Sequence, residues 1–325
     1  MSLNSIFWSA LLWMTVALPC SATVFTNDFS NDPLANGWRV FGDANLFRWN
    51  STNQNIDATW DSSKTNTYFY VPMGTVLTRS DDFSFALDLR LNDFAGGVTA
   101  GKTNAFELTF GFLNSASATK TNFFRGTGRN SPNLVEFAFF PDNGYGATVW
   151  PTIWSTNSML NYNGDSDFTL LNLPVGVTMR ISMAYTSSNR TLKTSITTNG
   201  ISIGTINGVA LSGSFTDFRV DTFALESYSD AFTTDSILAR GSVDNISITV
   251  PPPPIQNLRG AFTNGQWNAE FLSRTNWLYT LERTTNFQSW SNVSLVGSGT
   301  GTNLILRDTN SILDKAFYRV RANRL

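Results

Sequence analysis

Two glutamates, Glu107 and Glu136, are the first candidates for chemistry, because each lies in a segment that alternates apolar and polar residues. If these segments were paired strands, the two carboxyl groups would lie about 5 Å apart, as in retaining glycoside hydrolases. The same alternation places Arg90 and Arg180 on the same kind of face. The guanidinium groups would then pair with the carboxylates, and all four groups would orient a ligand's hydroxyls. Metal binding by the two glutamates is a third interpretation.

Two tryptophans, Trp150 and Trp154, lie in the aromatic segment Thr148–Trp154. In an extended segment both indoles point to one side, about 13 Å apart, which suits stacking on two rings of a polysaccharide. The alternative is packing in the core, since Trp is often buried and Pro151 indicates an edge or a loop.

The composition excludes several kinds of enzyme. The 325 residues contain no His and one Cys, which rules out Ser-His-Asp and Cys-His catalysis and zinc sites that use imidazole. Charged residues make up only 14% of the chain, whereas 26 residues are Phe. This composition is typical of a β protein with a surface of Ser, Thr and Asn.

Alternating segments must position the candidate residues. Such segments occur at Phe83–Leu91, Phe106–Phe112, Val135–Phe139 and Met179–Tyr185, with shorter ones up to Val250. Many short strands separated by turns predict an all-β, two-sheet jelly-roll sandwich. The residues predicted to face its core are Phe106, Leu108, Phe110, Val135, Phe137, Phe139, Ile181 and Met183. Glu107, Thr109, Glu136, Ala138, Arg180 and Ser182 then face the other way, with Asp88 and Arg90.

The beginning of the chain resembles an export signal. An apolar run, Ile6–Leu18, is followed by Pro19 and small residues, which predicts a signal peptide over residues 1–22 with cleavage after Ala22. A lipoprotein anchored through Cys20 is the alternative, which Pro19 disfavours. We therefore expect a secreted or cell-surface protein, or a periplasmic one, with no transmembrane segment once the signal is removed.

A proline run divides the rest of the chain into two modules. Residues 251–257, which begin with Pro251–Pro254, predict an extended linker. Residues 23–250 carry 14 Lys and Arg against 20 Asp and Glu, whereas residues 255–325 carry 8 against 4. The change of sign favours an acidic jelly-roll domain over 23–250 and a small basic β module over 258–325. Nucleic acid is not an expected partner, because the whole chain is acidic and exported.

Four strings in the first module resemble the concanavalin A-like lectin/glucanase superfamily. They are Phe25–Ser30 with Trp38, Phe106–Phe112, Val135–Asp142 and Val243–Ile248. The resemblance implies a jelly roll whose concave sheet faces sugar, in a group that includes lectins, laminin G-like modules, glucanases and lyases. The Glu-x-Asp-x-x-Glu signature of one glucanase family is absent, since Ala138 stands where its Asp would be. Lyases and legume-lectin metal sites of this group use a His, which the chain lacks.

The same resemblance implies a structural Ca²⁺ between the first and last strands of the jelly roll. Asp28 and Asp244 are at the corresponding positions, and oxygen ligands suit this ion. A second candidate is the loop Asn161–Asp167, which lacks the spacing of an EF-hand. Ordinary solvated turn residues are the alternative for both sets.

The C-terminal module is similar to a fibronectin-like β module of secreted Gram-negative bacterial proteins. The strings that carry this resemblance are Tyr279–Trp290 and Ala316–Arg321. The resemblance implies attachment to a cell surface and no catalytic activity in this module. The glycines of Gly297–Gly301 predict a hairpin turn and not a phosphate loop, because no Lys follows them.

These observations predict a secreted or surface-attached, non-catalytic protein that binds a polysaccharide or another glycan. The predicted ligand-binding residues are Trp150, Trp154, Glu107, Glu136, Arg90 and Arg180. Two other functions stay open. One is a structural or adhesive envelope protein without a sugar site, and the other is a glycoside hydrolase that uses Glu107 and Glu136.

Overall fold

The computed structural model describes residues 22–142, 146–162, 167–310 and 315–325. The predicted signal peptide therefore lies outside the described residues except for Ala22, and so does the middle of the loop Asn161–Asp167. Among the residues described, no helix is long and apolar enough to cross a bilayer.

The chain is nearly all β, as predicted, and its first module is a two-sheet sandwich. In chain order its strands are β1 (Thr23–Asn27), β2 (Arg39–Phe41), β3 (Phe47–Asn50), β4 (Asn55–Asp61), β5 (Thr67–Leu77), β6 (Phe83–Gly96), β7 (Asn104–Ala105), β8 (Leu108–Leu113), β9 (Leu134–Phe140), β10 (Thr148–Val149), β11 (Thr152–Trp154), β12 (Thr169–Leu170), β13 (Thr178–Thr186), β14 (Thr191–Thr198), β15 (Ile201–Ser202), β16 (Val209–Ala210), β17 (Val220–Ser227) and β18 (Asp235–Val250). Two short helical turns interrupt them, a 3-10 helix at Pro33–Asn36 and an α-helix, α1, at Ser115–Ala118.

Two large sheets share these strands. The back sheet follows the order β15-β14-β13-β6-β18-β4-β3, with β1 and β7 paired to β18 and β16 to β14. The front sheet follows the order β12-β10-β9-β8-β17-β5-β2, with β11 paired to β9. Strand β1 pairs antiparallel with β18, so the first and last strands of the module are neighbours.

Phenylalanines fill the space between the two sheets. Phe110 of the front sheet packs against Phe85 of the back sheet, with ring centroids 5.9 Å apart, and Phe139 contacts Phe94 in the same way. The eight side chains predicted to face the core are all buried. Alternation with a period of two thus assigned the inner face of these strands correctly.

The outer face of the front sheet is also buried, which the alternation did not predict. The segment between β8 and β9 lies over this face, because Tyr68 Oη donates to the Ala118 carbonyl at 3.2 Å and Asn66 Nδ2 donates to the Phe123 carbonyl at 3.0 Å. Side chains on both faces of β8, β9 and β17 are therefore removed from solvent.

The C-terminal strands form two sheets of their own. They are β19 (Ile255–Thr263), β20 (Gln266–Ser273), β21 (Trp277–Thr284), β22 (Ser291–Asn292), β23 (Gly297–Ser298), β24 (Asn303–Asp308) and β25 (Phe317–Arg324). One sheet has the order β19-β20-β24, and in the other β21 pairs with β22, β23 and β25. A separate apolar core forms between these sheets around Phe271, Tyr279 and Leu281.

The two modules contact each other through buried charges. Asp81 of the first module lies 3.0 Å from Nη2 of Arg274 and 3.0 Å from Nη2 of Arg324 in the second module. Arg219 donates to the Leu325 carbonyl at 3.1 Å across the same contact. The modules therefore share a polar interface as well as the connection through Pro251–Pro254. The predicted linker over residues 251–257 is too long, because β19 already begins at Ile255.

Candidate functional site: a buried carboxylate cluster beside two pockets

An ion pair with three members lies on the outer face of the front sheet. Arg125 reaches there from the segment between α1 and β9, with Nη2 2.8 Å from Oε2 of Glu136 and 3.2 Å from Oε2 of Glu107. Its Nε also donates to Glu136 Oε2 at 2.9 Å. All three side chains are buried. Arg125 thus brings together the two glutamates that the sequence indicated, although Glu107 precedes β8 and Glu136 lies in β9.

The pairing of the central strands explains why these side chains meet. Gly111 of β8 lies opposite Glu136 of β9, and a Cβ at Gly111 would collide with the Val135 carbonyl. Glycine therefore permits the close approach of the two strands at this point. On the other side of β8, Thr109 pairs with Glu226 of β17, which brings a third glutamate to the same face.

Tyr228 completes the polar group, and Tyr68 packs beside it. Tyr228 donates from its hydroxyl to Oε1 of Glu136, and Oε2 of Glu226 lies 3.2 Å from the same hydroxyl oxygen. Tyr68 lies opposite Glu226 in the pairing of β5 with β17. We use the name carboxylate cluster for Glu107, Arg125, Glu136, Glu226 and Tyr228.

Burial determines the protonation of most of the cluster. Burial raises the pKa of Glu226 well above its ordinary value, and the charge of Glu136 raises it further. Burial likewise raises the pKa of Tyr228, with Glu136 and Glu226 adding to the effect. Burial opposes the charge of Arg125, but Glu107 and Glu136 outweigh it and hold the pKa of Arg125 above its ordinary value. Arg125 is therefore a permanent cation, whereas burial favours the neutral form of Glu226.

Glu107 titrates near neutral pH. Burial raises its pKa from 4.5 to about 7, Arg125 lowers it, and the nearby charges of Glu136 and Asp235 raise it. Glu107 Oε2 contacts Arg125, whereas Oε1 has no hydrogen-bond partner among the residues described. The side chain can therefore both accept and donate a hydrogen bond as its proton comes and goes.

Glu107 also contributes to the wall of a pocket of about 480 Å³, the polar pocket. Trp150, which is half-buried, forms another part of the wall, and its Nε1 has no partner in the described part of the chain. The lining residues are Phe106, Glu107, Arg125, Gly126, Thr127, Arg129, Phe140, Trp150, Phe232, Thr233, Thr234 and Asp235. Pockets of this size accommodate small ligands.

A second pocket of about 450 Å³, the apolar pocket, adjoins the first, with Trp150 and Thr127 contributing to both. Trp150 packs against Phe168 here, with ring centroids 4.4 Å apart. The other lining residues are Gly128, Trp154, Ser158, Met159, Leu160, Tyr162 and Phe168.

The two tryptophans have different environments. Register places Thr152 of β11 opposite Glu136, so Trp154 shares the outer face of the sheet with that glutamate. Trp154 is only 1% exposed, and the Arg125 guanidinium carbon lies 4.7 Å from its ring centroid. The prediction that Trp154 presents an open stacking surface is therefore wrong. Arg125 and the segment between β8 and β9 that carries it, here called the covering segment, enclose the indole.

Arg90 and Arg180 lie elsewhere. Both are in the back sheet, Arg90 on β6 and Arg180 on β13, so the whole sandwich separates their outer face from the glutamates. Arg180 pairs with Asp88 at 3.1 Å, and Arg90 donates from Nε to the Gly176 carbonyl at 3.2 Å. The predicted grouping of these arginines with Glu107 and Glu136 is wrong, because strand alternation cannot tell which sheet a strand joins.

Glu136 is not presented to the polar pocket. Its Oε2 contacts Arg125 and its Oε1 accepts from Tyr228, and the side chain is fully buried. Glu107 alone of the two glutamates lines the pocket. The two carboxyl groups that the hydrolase hypothesis required are thus close together, but they do not line the same cavity.

The two aspartates predicted to bind Ca²⁺ lie near each other, beside the paired β1 and β18. Asp28 accepts from the backbone and hydroxyl of Ser30, and Asp244 accepts from the backbone of Asn245. Burial raises the pKa of Asp244, the Asn245 hydrogen bond lowers it, and the charges of Asp88 and Asp28 raise it. Within the described ranges, no group of three or more acidic or Cys side chains is arranged to hold a metal ion. Calcium binding stays a prediction.

Sequence reasoning missed Arg125, Glu226 and Tyr228. Glu226, near the end of β17, and Tyr228, just after it, alternate with Leu225 and Ser227 in the string Ala224-Leu-Glu-Ser-Tyr228. That spacing was a usable signal. Arg125 lies in a loop, Phe124-Arg-Gly-Thr-Gly128, where no periodicity indicates the direction of its side chain.

Comparisons with known proteins give structural similarity alone. No protein-family model and no curated protein matches the sequence. A peanut lectin solved with a 9mer peptide aligns with 15% identity and a TM-score of 0.43, over 71% of this chain and 98% of the lectin. Lectin II from Ulex europaeus aligns with 10% identity and a TM-score of 0.46, over 71% and 99%. The winged bean acidic lectin, solved with methyl-α-D-galactose, aligns with 12% identity and a TM-score of 0.42, over 71% and 99%.

Proposed function

We propose that the protein binds a glycan in the polar pocket. The observation that carries this proposal is the presence of Trp150 and Glu107 in one pocket wall, each with a polar atom that lacks a partner in the described structure. A sugar offers ring C–H groups that pack on an indole, and hydroxyls that both donate and accept hydrogen bonds. An apolar ligand would leave these atoms unsatisfied.

The charges around the pocket favour a neutral or weakly charged glycan. Glu107 and Asp235 line it with Arg129, and the Arg125 charge is already compensated by Glu136. A strongly anionic ligand would meet two carboxyl groups, and a cationic ligand would meet two arginines. Hydroxyl groups satisfy both kinds of side chain.

Binding to a glycan array, followed by affinity measurements on the best hit, tests the proposal. We expect Trp150→Ala to weaken binding at least about tenfold, because the indole surface is lost, and Glu107→Gln to weaken it severalfold. Trp290→Ala is the matched control, because this indole lies in the C-terminal module with Arg319 4.1 Å from its ring. Equal binding by folded Trp150→Ala and native protein would contradict the proposal and favour a structural or adhesive role.

We further propose that the chain is exported and that its C-terminal module attaches it to a cell surface. The apolar run Ile6–Leu18 supports export, and the basic, fibronectin-like pattern of residues 258–325 supports attachment. N-terminal sequencing of the protein from its natural host should give a mature chain that begins at Thr23. A mature chain that retains Met1 would contradict export. A truncated chain without residues 251–325 that stays on the cell surface would contradict attachment through the C-terminal module.

A further inference from the structure

The two pockets differ in chemistry although they share Trp150 and Thr127. Glu107, Arg129 and Asp235 line the polar pocket, whereas Met159, Leu160 and Phe168 line the apolar one. A ligand that crosses Trp150 therefore passes from a hydrogen-bonding environment to an apolar one within a single residue. An ordinary unsubstituted sugar chain has hydroxyls along its whole length and would leave them unpaired in the apolar pocket.

The indoles add a second observation. Nε1 of Trp150 and Nε1 of Trp154 are both buried donors without an acceptor in the described residues, and both side chains line the apolar pocket. A buried N–H without a partner is costly, so these positions favour a ligand that supplies an acceptor. An ester provides a carbonyl oxygen at the junction between a sugar ring and an apolar acyl group.

We propose that the ligand is an O-acylated glycan, with its sugar ring in the polar pocket and its acyl group in the apolar pocket. This inference rests on the proposed function and deepens it by naming the substituent. Trp150 would divide the ligand at the ester linkage. Burial of the acyl group against Met159, Leu160 and Phe168 would add affinity in proportion to the apolar area covered.

Acetylated glucomannan and acetylated xylan, each compared with the same polysaccharide after mild alkaline deacetylation, provide matched probes for affinity electrophoresis. We expect the native protein to bind each acetylated form at least about tenfold more tightly than its deacetylated form. Trp154→Phe, which keeps the ring beside Arg125 but removes the N–H, should reduce this preference to about twofold or less. Met159→Gln, which makes the apolar pocket polar, should do the same.

The control is Trp277→Phe, which removes a buried Nε1 that also lacks a partner in the described chain but lies in the C-terminal module. It should retain the full preference for acetylated polysaccharide. Equal binding of acetylated and deacetylated forms by the native protein would overturn the inference, and so would an unchanged preference in both Trp154→Phe and Met159→Gln. The inference is also overturned if the native protein binds neither the acetylated nor the deacetylated polysaccharide. The glycan array tests the proposed function separately.

The two proposals fail in different ways. If Trp150→Ala abolishes binding of both forms and acetylation has no effect, glycan binding stands and the acyl inference is wrong. If acetylation increases binding but Glu107→Gln and Trp150→Ala leave it unchanged, the sugar site is wrong and the acyl inference falls with it.

Discussion

The guanidinium group of Arg125 lies 2.8 Å from Oε2 of Glu136, and both side chains are buried. The pair is formed between a loop and the centre of a sheet, so it holds the covering segment on the front sheet. It also compensates the charge of Glu136, which accepts a hydrogen bond from Tyr228. Removal of Arg125 leaves the buried Glu136 without its counter-charge, which is the expensive case for ion pairs.

Arg125→Met should therefore lower the free energy of unfolding by about 3–5 kcal/mol, measured by urea denaturation. Arg240→Met is the control, because Arg240 and Asp93 form a pair in which both side chains are more than half exposed. The control should change stability by about 1 kcal/mol or less. A loss of less than about 1 kcal/mol for Arg125→Met would show that the ion pair does not hold the segment in place.

Glu107 should make stability depend on pH in a predictable direction. Its pKa is about 7 in the folded protein against an ordinary value of 4.5, with burial as the main cause. The folded state therefore binds more protons between pH 4.5 and 7, and the free energy of unfolding falls as pH rises across this window, by at most about 1.4 kcal/mol per unit. Its stabilising contribution is complete below pH 4.5.

Glu107→Gln should flatten this pH dependence, as measured by denaturation at intervals from pH 4 to 8. The remaining slope in the same window would come from Glu226, whose pKa is also raised. Glu270→Gln is the control, because Glu270 alternates outward on β20 and is exposed. Identical pH profiles for native protein and Glu107→Gln would mean that Glu107 keeps its ordinary pKa.

Asp81 should couple the unfolding of the two modules. It contacts Arg274 and Arg324 at 3.0 Å each and accepts from the Thr78 backbone at 3.0 Å, in a largely buried site. Asp81→Asn leaves two guanidinium groups without a counter-charge, so we expect a loss of about 3 kcal/mol or more. Scanning calorimetry should then resolve two thermal transitions in place of one. Asp93→Asn, at an exposed pair, should keep a single transition.

Calcium should stabilise the first module if Asp28 and Asp244 hold the ion between β1 and β18. Addition of about 10 mM Ca²⁺, roughly 100 times a dissociation constant of about 10⁻⁴ M, would stabilise the folded state by about 2.7 kcal/mol. Asp244→Asn should abolish the resulting rise in melting temperature, whereas Asp57→Asn, on the exposed side of β4, should retain it. No shift with Ca²⁺ in the native protein would remove the metal from consideration.

The sequence by itself determined the all-β character and the inner face of β8, β9 and β13. This was predictable because the direction of a side chain in a strand depends only on local parity, as the burial of Phe110 and Phe137 illustrates. Parity also assigned Glu107, just before β8, and Glu136, on β9, to the face that points away from the core. The pairing of β8 with β9, which brings the two side chains together, was not part of that pattern.

Tertiary structure alone decided which strands share a sheet and what covers each face. Arg90 obeys the same alternation as Glu107 but lies on the opposite side of the sandwich, because pairing between distant segments is not encoded in local periodicity. Arg125 and the enclosed Trp154 depend on a loop that folds over the front sheet, and its position is fixed by contacts with Tyr68 and Asn66. Contacts between residues far apart in the chain, and not the alternation of any strand, thus created the cluster and its two pockets.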